Sequence, residues 1–199
     1  MKQNRFFSAG LITRVGVLSA IAVVLFMFVP SIRVVPPIYS LDFSALPALL
    51  GGFALDPAAG VLVTLIKDVI GLLSTSTMGV GELADFLMTG SFVFTAALIY
   101  RRNKTRRGAL IGMLCGIVVM AIMGALCNYF ILIPFYVTVM NLSEEAIVGM
   151  IASTIPAVDS LGKLIALATV PFNLLKGTVI CLLTMLLYKR LSPILHVKR

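Results

Sequence analysis

The sequence predicts an all-α integral membrane protein of six transmembrane helices, with both termini in the cytoplasm and residues 1–199 folded as a single domain. Three observations carry that expectation. Hydrophobic residues make up 60% of the chain and charged residues 12%, with a mean hydropathy of +1.09, and a soluble domain of this size needs more polar surface to cover its core. Several apolar runs reach or approach the roughly 20 residues that cross a ~30 Å hydrocarbon core as helix. The basic residues, finally, sit in short clusters between those runs.

The first span covers about 11–29 and stops at Pro30. Lys2 and Arg5 before it resemble the charged region of a signal peptide, but Pro30-Ser31-Ile32-Arg33-Val34 lacks a small-x-small cleavage pattern. It is therefore read as a retained helix. The second span, about 44–55, is short. Asp56-Pro57 makes a tight turn with Pro57 at the first position of the third span, about 57–73. Ser74 to Gly79 form a polar loop. The remaining spans cover about 81–100, 108–132 and 162–190, with Pro171 either a kink in the last helix or its first turn. Ser143 is placed as the N-cap of a short helix in the long loop 133–161, with Glu144 and Glu145 in its first turn.

Charge orients these spans. Lys2, Arg5 and Arg14 lie near the start, Arg101, Arg102, Lys104, Arg106 and Arg107 between the fourth and fifth spans, and Lys189, Arg190, Lys198 and Arg199 at the end. Six spans place all three clusters on one side, and the Lys/Arg bias makes that side cytoplasmic. The two longer loops then face outward, where loops of that length carry function. No internal inverted repeat is present.

The charge pattern argues against nucleic acid as a partner, despite the net charge of +8. Cys115, Cys127 and Cys181 fall within apolar spans, without metal-ligand spacing, and read as buried free thiols. The one histidine, His196, lies in the tail, so a metal site is not expected. No GxxxxGK[ST] run binds nucleotide. No nucleophile stands beside a base, which argues against catalysis, and no cofactor is implied. Glu82 and Asp85, at i and i+3, read more simply as partners of the helix N-terminus than as an acid–base pair.

Ionisable groups inside spans are costly and point to function. Lys67-Asp68 lies in the outer part of the third span, where Lys67 either snorkels to the interface or serves a site. Asn173 precedes Lys176 by three residues, so both project from one helical face just after Pro171. Asn128 lies near the outer end of the fifth span. These groups converge on one level, and Asn173 with Lys176 read as polar anchors of an apolar pocket suited to a flat heterocycle bearing carbonyls and ring N–H groups. The plainer alternative is that Lys176 snorkels to the interface and Asn128 bonds a neighbouring helix.

Several segments carry a family resemblance: the run Tyr39-Ser40-Leu41-Asp42-Phe43-Ser44-Ala45-Leu46-Pro47 continuing to Phe53, then Gly60 to Lys67, Gly79 to Phe86, Asn128-Tyr129-Phe130 and Pro171-Phe172-Asn173-Leu174-Leu175-Lys176-Gly177. Together they resemble, in order and over nearly the whole chain, the riboflavin-binding S components of energy-coupling factor (ECF) transporters. The resemblance implies that Asn128, Asn173 and Lys176 hydrogen-bond the flavin, and that the loop with Tyr39, Leu41 and Phe43 closes over it. Glu82 is placed at the outer mouth as a further binding residue. As implied partners it adds riboflavin, with FMN left open, a transmembrane coupling protein and two cytoplasmic ATPases, in a bacterial plasma membrane. The family's alanine-x-x-x-alanine contact face is replaced by Gly16-Val17-Leu18-Ser19-Ala20, so Gly16 and Ala20 are the expected partner contact, with intramolecular packing as the alternative. Other readings are an S component for pantothenate or thiamine and, more remotely, a small membrane enzyme.

Overall fold

The computed structural model describes residues 9–35 and 38–195; the basic positions Lys2, Arg5, Lys198 and Arg199 and the lone His196 lie outside them. Among the described residues, regular structure is helical apart from one hairpin. In order it runs α1 (Ala9–Met27), β1 (Ile32–Val35), β2 (Tyr39–Leu41), α2 (Ala45–Ala54), α3 (Pro57–Gly71), α4 (Val80–Arg102), α5 (Arg106–Cys127), α6 (Ile133–Thr138), α7 (Glu144–Ala152), α8 (Leu161–Leu164) and α9 (Val170–Leu195). The hairpin corrects the all-α expectation. In it, Ile32 pairs antiparallel with Leu41 and Arg33 with Ser40, so the outer loop after α1 is ordered by backbone pairing.

Among the described residues, five helical segments are long and apolar enough to cross a bilayer: Ala9–Met27, Pro57–Ser74, Val80–Arg102, Arg106–Thr138 and Leu161–Leu187. The sixth expected span, α2, has 10 residues and reaches only about 15 Å at 1.5 Å per residue. Its nine residues Ala45 to Phe53 are all buried. It meets α1, α3, α4 and α9 rather than lipid, so it need not match the bilayer. The local signals hold: Pro57 opens α3, and Ser143 caps α7 by accepting from Ala146 N at 3.2 Å; the structure adds that Asp56 caps α3 by accepting from Ala58 N at 3.0 Å.

Small residues let these helices approach. A Cβ added to Gly60 would stand 2.7 Å from Ala48 O and 2.8 Å from Gly52 Cα. One on Gly112 would stand 2.5 Å from Ala96 O. Close backbone approach of this kind supplies the dispersion contacts that hold helices together where lipid removes the hydrophobic drive. Cys127 and Cys181 are buried as expected, but Cys115 is exposed on the outer face of α5. An apolar medium imposes no cost on a thiol there.

Pro171, expected to punctuate the last helix, and Pro134, which the sequence reading did not single out, each follow a widened turn. A π-helical turn spans Asn128–Leu132 and another Ile165–Thr169. Each ends two residues before a proline, Pro134 or Pro171. Proline lacks an N–H and collides with the carbonyl four residues back, and an extra residue in that turn relieves the clash. The fifth expected span therefore continues past 132 to Thr138. Pro171, though the second residue of α9, lies inside a continuous helical run that starts at Leu161 and passes through α8 and the second π-turn.

Substituting Gly60 with valine is expected to cost about 1–3 kcal/mol, the usual range for overpacking. It should lower the melting temperature of the detergent-solubilised protein, whereas Gly16→Val, with nothing within 4 Å of its Cβ position, should change it little.

Candidate functional site

Two lysines lie inside the apolar body: Lys67 is 1% exposed and Lys176 4%. Removing an ammonium from water costs several kcal/mol unless it is paired. Lys67 Nζ stands 2.6 Å from Asp85 Oδ2 and 2.5 Å from Asp68 Oδ1, with the Phe26 ring 4.9 Å away. Lys176 Nζ stands 3.0 Å from Asp85 Oδ1 and 2.9 Å from Asp42 Oδ2. Asp85 thus bridges the lysines, one to each oxygen, and Thr89 Oγ1 donates to it at 3.3 Å. Asp42 is held in turn by Ser44, whose backbone N–H donates at 2.9 Å and whose hydroxyl donates to the same oxygen. The result is one network across α3, α4, α9 and the loop before α2. The reading of Asp85 as a helix-terminus partner is corrected: α3 and α4 are joined by a short connection, so the end of one and the start of the other lie at one depth, facing each other.

A second group is built on the π-turns. Asn128 opens the first and Thr169 closes the second. Asn128 Nδ2 donates to Gly124 O at 2.9 Å, and Asn173 Nδ2 donates to Thr169 O at 2.9 Å. These back-bonds fix both amides while leaving part of each amide's capacity unspent. Tyr39, from the hairpin, stands 3.1 Å from Asn128 Oδ1 and 2.6 Å from Thr169 Oγ1. Since Asn128 Oδ1 can only accept, the phenol donates to it and accepts from Thr169. Burial pushes the Tyr39 hydroxyl up to about 12, against the Thr169 hydrogen bond, so it keeps its proton at physiological pH. Its ring lies 5.0 Å from that of Phe172, tilted by 33°. Gly124 is required here: a Cβ would stand 2.5 Å from Asn173 Nδ2.

Both groups line one cavity of about 220 Å³. Asn128, Leu132, Tyr136, Phe172, Asn173 and Lys176 form the wall from the first π-turn, α6 and α9; Phe26, Asp68, Thr77, Glu82, Asp85 and Met88 form the wall from α1, α3, α4 and the loop before α4. Tyr39, Ser40 and Asp42 complete it from the hairpin and the loop after it. The cavity lies at the end of the bundle opposite Arg101, Arg102, Lys104, Arg106 and Arg107. Of the residues expected from sequence, Asn128, Asn173, Lys176, Tyr39 and Glu82 come together there. Leu41 and Phe43 do not line it: Leu41 is buried in an apolar cluster with Val35, Ile147, Ile151 and Phe172, and Phe43 packs between that cluster and the central core. Glu82 Oε2 accepts from Thr75 Oγ1 at 2.8 Å and Thr77 Oγ1 at 3.3 Å. Gly16 and Ala20 are both exposed on α1, so that face is not used to pack the chain against itself.

Sequence reasoning missed Asp42, Asp85 and Thr169 as site residues. The available signals were that two intramembrane lysines demand carboxylates at their depth, and that Thr169, four residues before Asn173, shares its helical face.

The family described as ECF transporter, substrate-specific component, matches residues 11–188. The chain belongs to that family. It is 36% identical over 195 residues to the riboflavin transporter RibU of Staphylococcus aureus (strain TCH60), covering 98% of this chain and 94% of that one. It is 27% identical to the riboflavin transporter FmnP of Bacillus subtilis (strain 168), covering 93% of each. A solved structure described as the S component of a bacterial ECF transporter superposes with a TM-score of 0.73 at 33% identity, covering 94% of this chain and 98% of that one. As an ECF substrate-specific component, the chain is a multi-pass membrane protein and a part of a transporter.

Asp85→Asn leaves two buried ammoniums short of charge. It should cost about 3 kcal/mol, the low end for breaking a buried pair, because Asp85 keeps 21% of its side chain accessible. Asp56→Asn, which breaks the exposed pair with Arg101, should cost under about 1 kcal/mol. Thermal unfolding of the ligand-free variants compares the two. Acidification tests Asp42. Burial pushes its carboxyl up, but Lys176, with help from Lys67 and Ser44, outweighs this and holds it below its ordinary 3.8. Its contribution is then complete above the unfolded value and is lost as pH falls through the lower folded one. Between pH 8 and 5, Asp42→Asn should therefore cost a constant increment of stability, one that shrinks only in stronger acid.

Proposed function

We propose that this chain is the high-affinity riboflavin-binding subunit of an ECF-type transporter, a single domain of six membrane crossings with both termini cytoplasmic. In this reading α2, though short, counts as a crossing within the bundle. The basic connection between α4 and α5 lies inside by the positive-inside rule, so the cavity at the opposite end opens outward and captures the vitamin there. A transmembrane coupling protein and two cytoplasmic ATPases supply the energy, and the exposed Gly16–Ala20 face of α1 is the contact with the coupling protein.

The observation that carries the ligand is the unspent polar capacity of one wall. Asn128 has an N–H left over, Asn173 a carbonyl and an N–H, and Lys176 one of its three N–H groups. Together they offer donors and acceptors in one place. That suits the pyrimidine edge of an isoalloxazine, which alternates carbonyls with a ring N–H. The apolar and aromatic side chains Leu132, Met88 and Phe172 bury its flat faces. Tyr39, tied to both π-turns, closes the cavity from the hairpin.

Riboflavin titration of the purified chain, followed by flavin fluorescence, tests this reading; a chain that neither purifies yellow nor quenches added riboflavin would sink it. Asn173→Ala should weaken binding about tenfold or more, since leaving a buried polar ligand group unpaired costs roughly 1–3 kcal/mol. It is a cleaner probe than Lys176→Ala, which also strips the partner from Asp42 and Asp85. Gly16→Leu should leave the titration unchanged while abolishing co-purification with the coupling protein and ATPases.

A further inference from the structure

We propose that Asp68, assisted by Glu82, is an acceptor subsite for the hydroxyl groups of the ligand's polyol chain. The proposal rests on the flavin reading and assigns the half of the cavity that reading leaves unused.

Asp68 is 4% exposed and borders the cavity. Its charge is met by Lys67 Nζ at 2.5 Å from Oδ1. Neither of its oxygens, however, accepts a hydrogen bond of regular geometry from any described residue. An ionised carboxylate has about four acceptor positions. Leaving them unmet in a buried place is costly, and such groups in a native structure call for an explanation. Asp42 and Asp85, the half-buried carboxylates that pair with the same lysines, are each satisfied on both oxygens. Asp68 is the exception, and it faces the space where a ligand must lie.

The two walls differ in chemistry. The side with Asn128, Asn173 and Lys176 offers mainly donors, together with one amide carbonyl. The side with Asp68 and Glu82 offers acceptors, and the Thr77 hydroxyl there donates to Glu82. Carboxylates repel the carbonyl oxygens of a flavin ring and accept readily from hydroxyls, and charge-assisted bonds of this kind are the stronger class. A ligand with a carbonyl-bearing ring at one end and a neutral polyol at the other therefore has one orientation: ring toward the amides, chain toward Asp68. The same arrangement disfavours a phosphate on that chain. Asp42, Asp68, Glu82 and Asp85 border the cavity, against one bordering ammonium, Lys176, which two carboxylates already share. The subsite thus selects riboflavin over FMN.

The test compares riboflavin with lumiflavin, which keeps the ring and replaces the polyol with a methyl group, and with FMN, in displacement titrations of the full chain in detergent. Asp68→Asn is expected to weaken riboflavin about tenfold or more, lumiflavin by less than about threefold, and FMN less than riboflavin. Glu82→Gln, at the cavity rim and outside the Lys67 pair, should show the same ligand-selective pattern at smaller size, and it serves as the readout if Asp68→Asn does not fold. Equal losses for all three ligands, or no loss for any, would overturn the proposal and leave Asp68 a structural partner of Lys67. A wild-type chain that binds no flavin fails the underlying reading instead, before any variant is made.

Discussion

Charge brought into an apolar body has to be answered at the same depth, and the bridge from Asp85 to Lys67 and Lys176 is where this protein does so. No other described carboxylate touches two lysines. Through Lys67 it joins α4 to α3. Through Lys176 it joins α4 to α9, and Lys176 passes the connection on to Asp42 and so to the loop leading into α2. A lipid-facing bundle has little hydrophobic drive to bring its helices together. Buried ion pairs are weak sources of net stability, but they are intolerant of misalignment. They set which helix ends meet and at what level. The cavity forms where they meet.

The prolines do complementary work. Pro134 and Pro171 each sit two residues after a π-turn, and the two turns lie against each other at the same end of the bundle. Widened turns occur often at functional sites because they turn side chains away from the regular helical rows. Here they carry Asn128 and Thr169, and Asn173 follows one turn later. Tyr39 then bonds both turns at once, so a hairpin near the start of the chain is anchored to turns 89 and 130 residues further on. Any motion of that hairpin must break those bonds, which makes the cavity's cover and its polar wall a single mechanical unit.

How much of this was legible beforehand follows from which interactions are local. The Ser143 cap and the placing of Pro57 at the start of α3 are matters of residues a few positions apart, and they were found as expected. Asn173 with Lys176 was legible for the same reason, as a helical face. Asp85 was not: its meaning depends on partners 18 and 91 positions away, and nearby residues gave it a simpler role at a helix start. The hairpin escaped notice because its strands are only four and three residues long, too short for an alternating pattern to declare itself. Leu41 and Phe43 were placed in the right segment, but Leu41 packs into the apolar cluster with α7 and α9, and Phe43 packs between that cluster and the central core.

Composition, run length and the spacing of basic clusters were enough to establish a multi-pass helical membrane protein, because a bilayer tests each segment for apolar length almost independently of the others. Local spacing also sufficed to mark the amides and the lysine as unusual. What tertiary structure alone decided was the pairing: that α2 is wrapped rather than exposed, that two lysines share one aspartate, and that a third carboxylate is left facing the cavity with acceptors to spare. Those outcomes depend on which helices touch, and distances across a fold are not written in the order of residues along it.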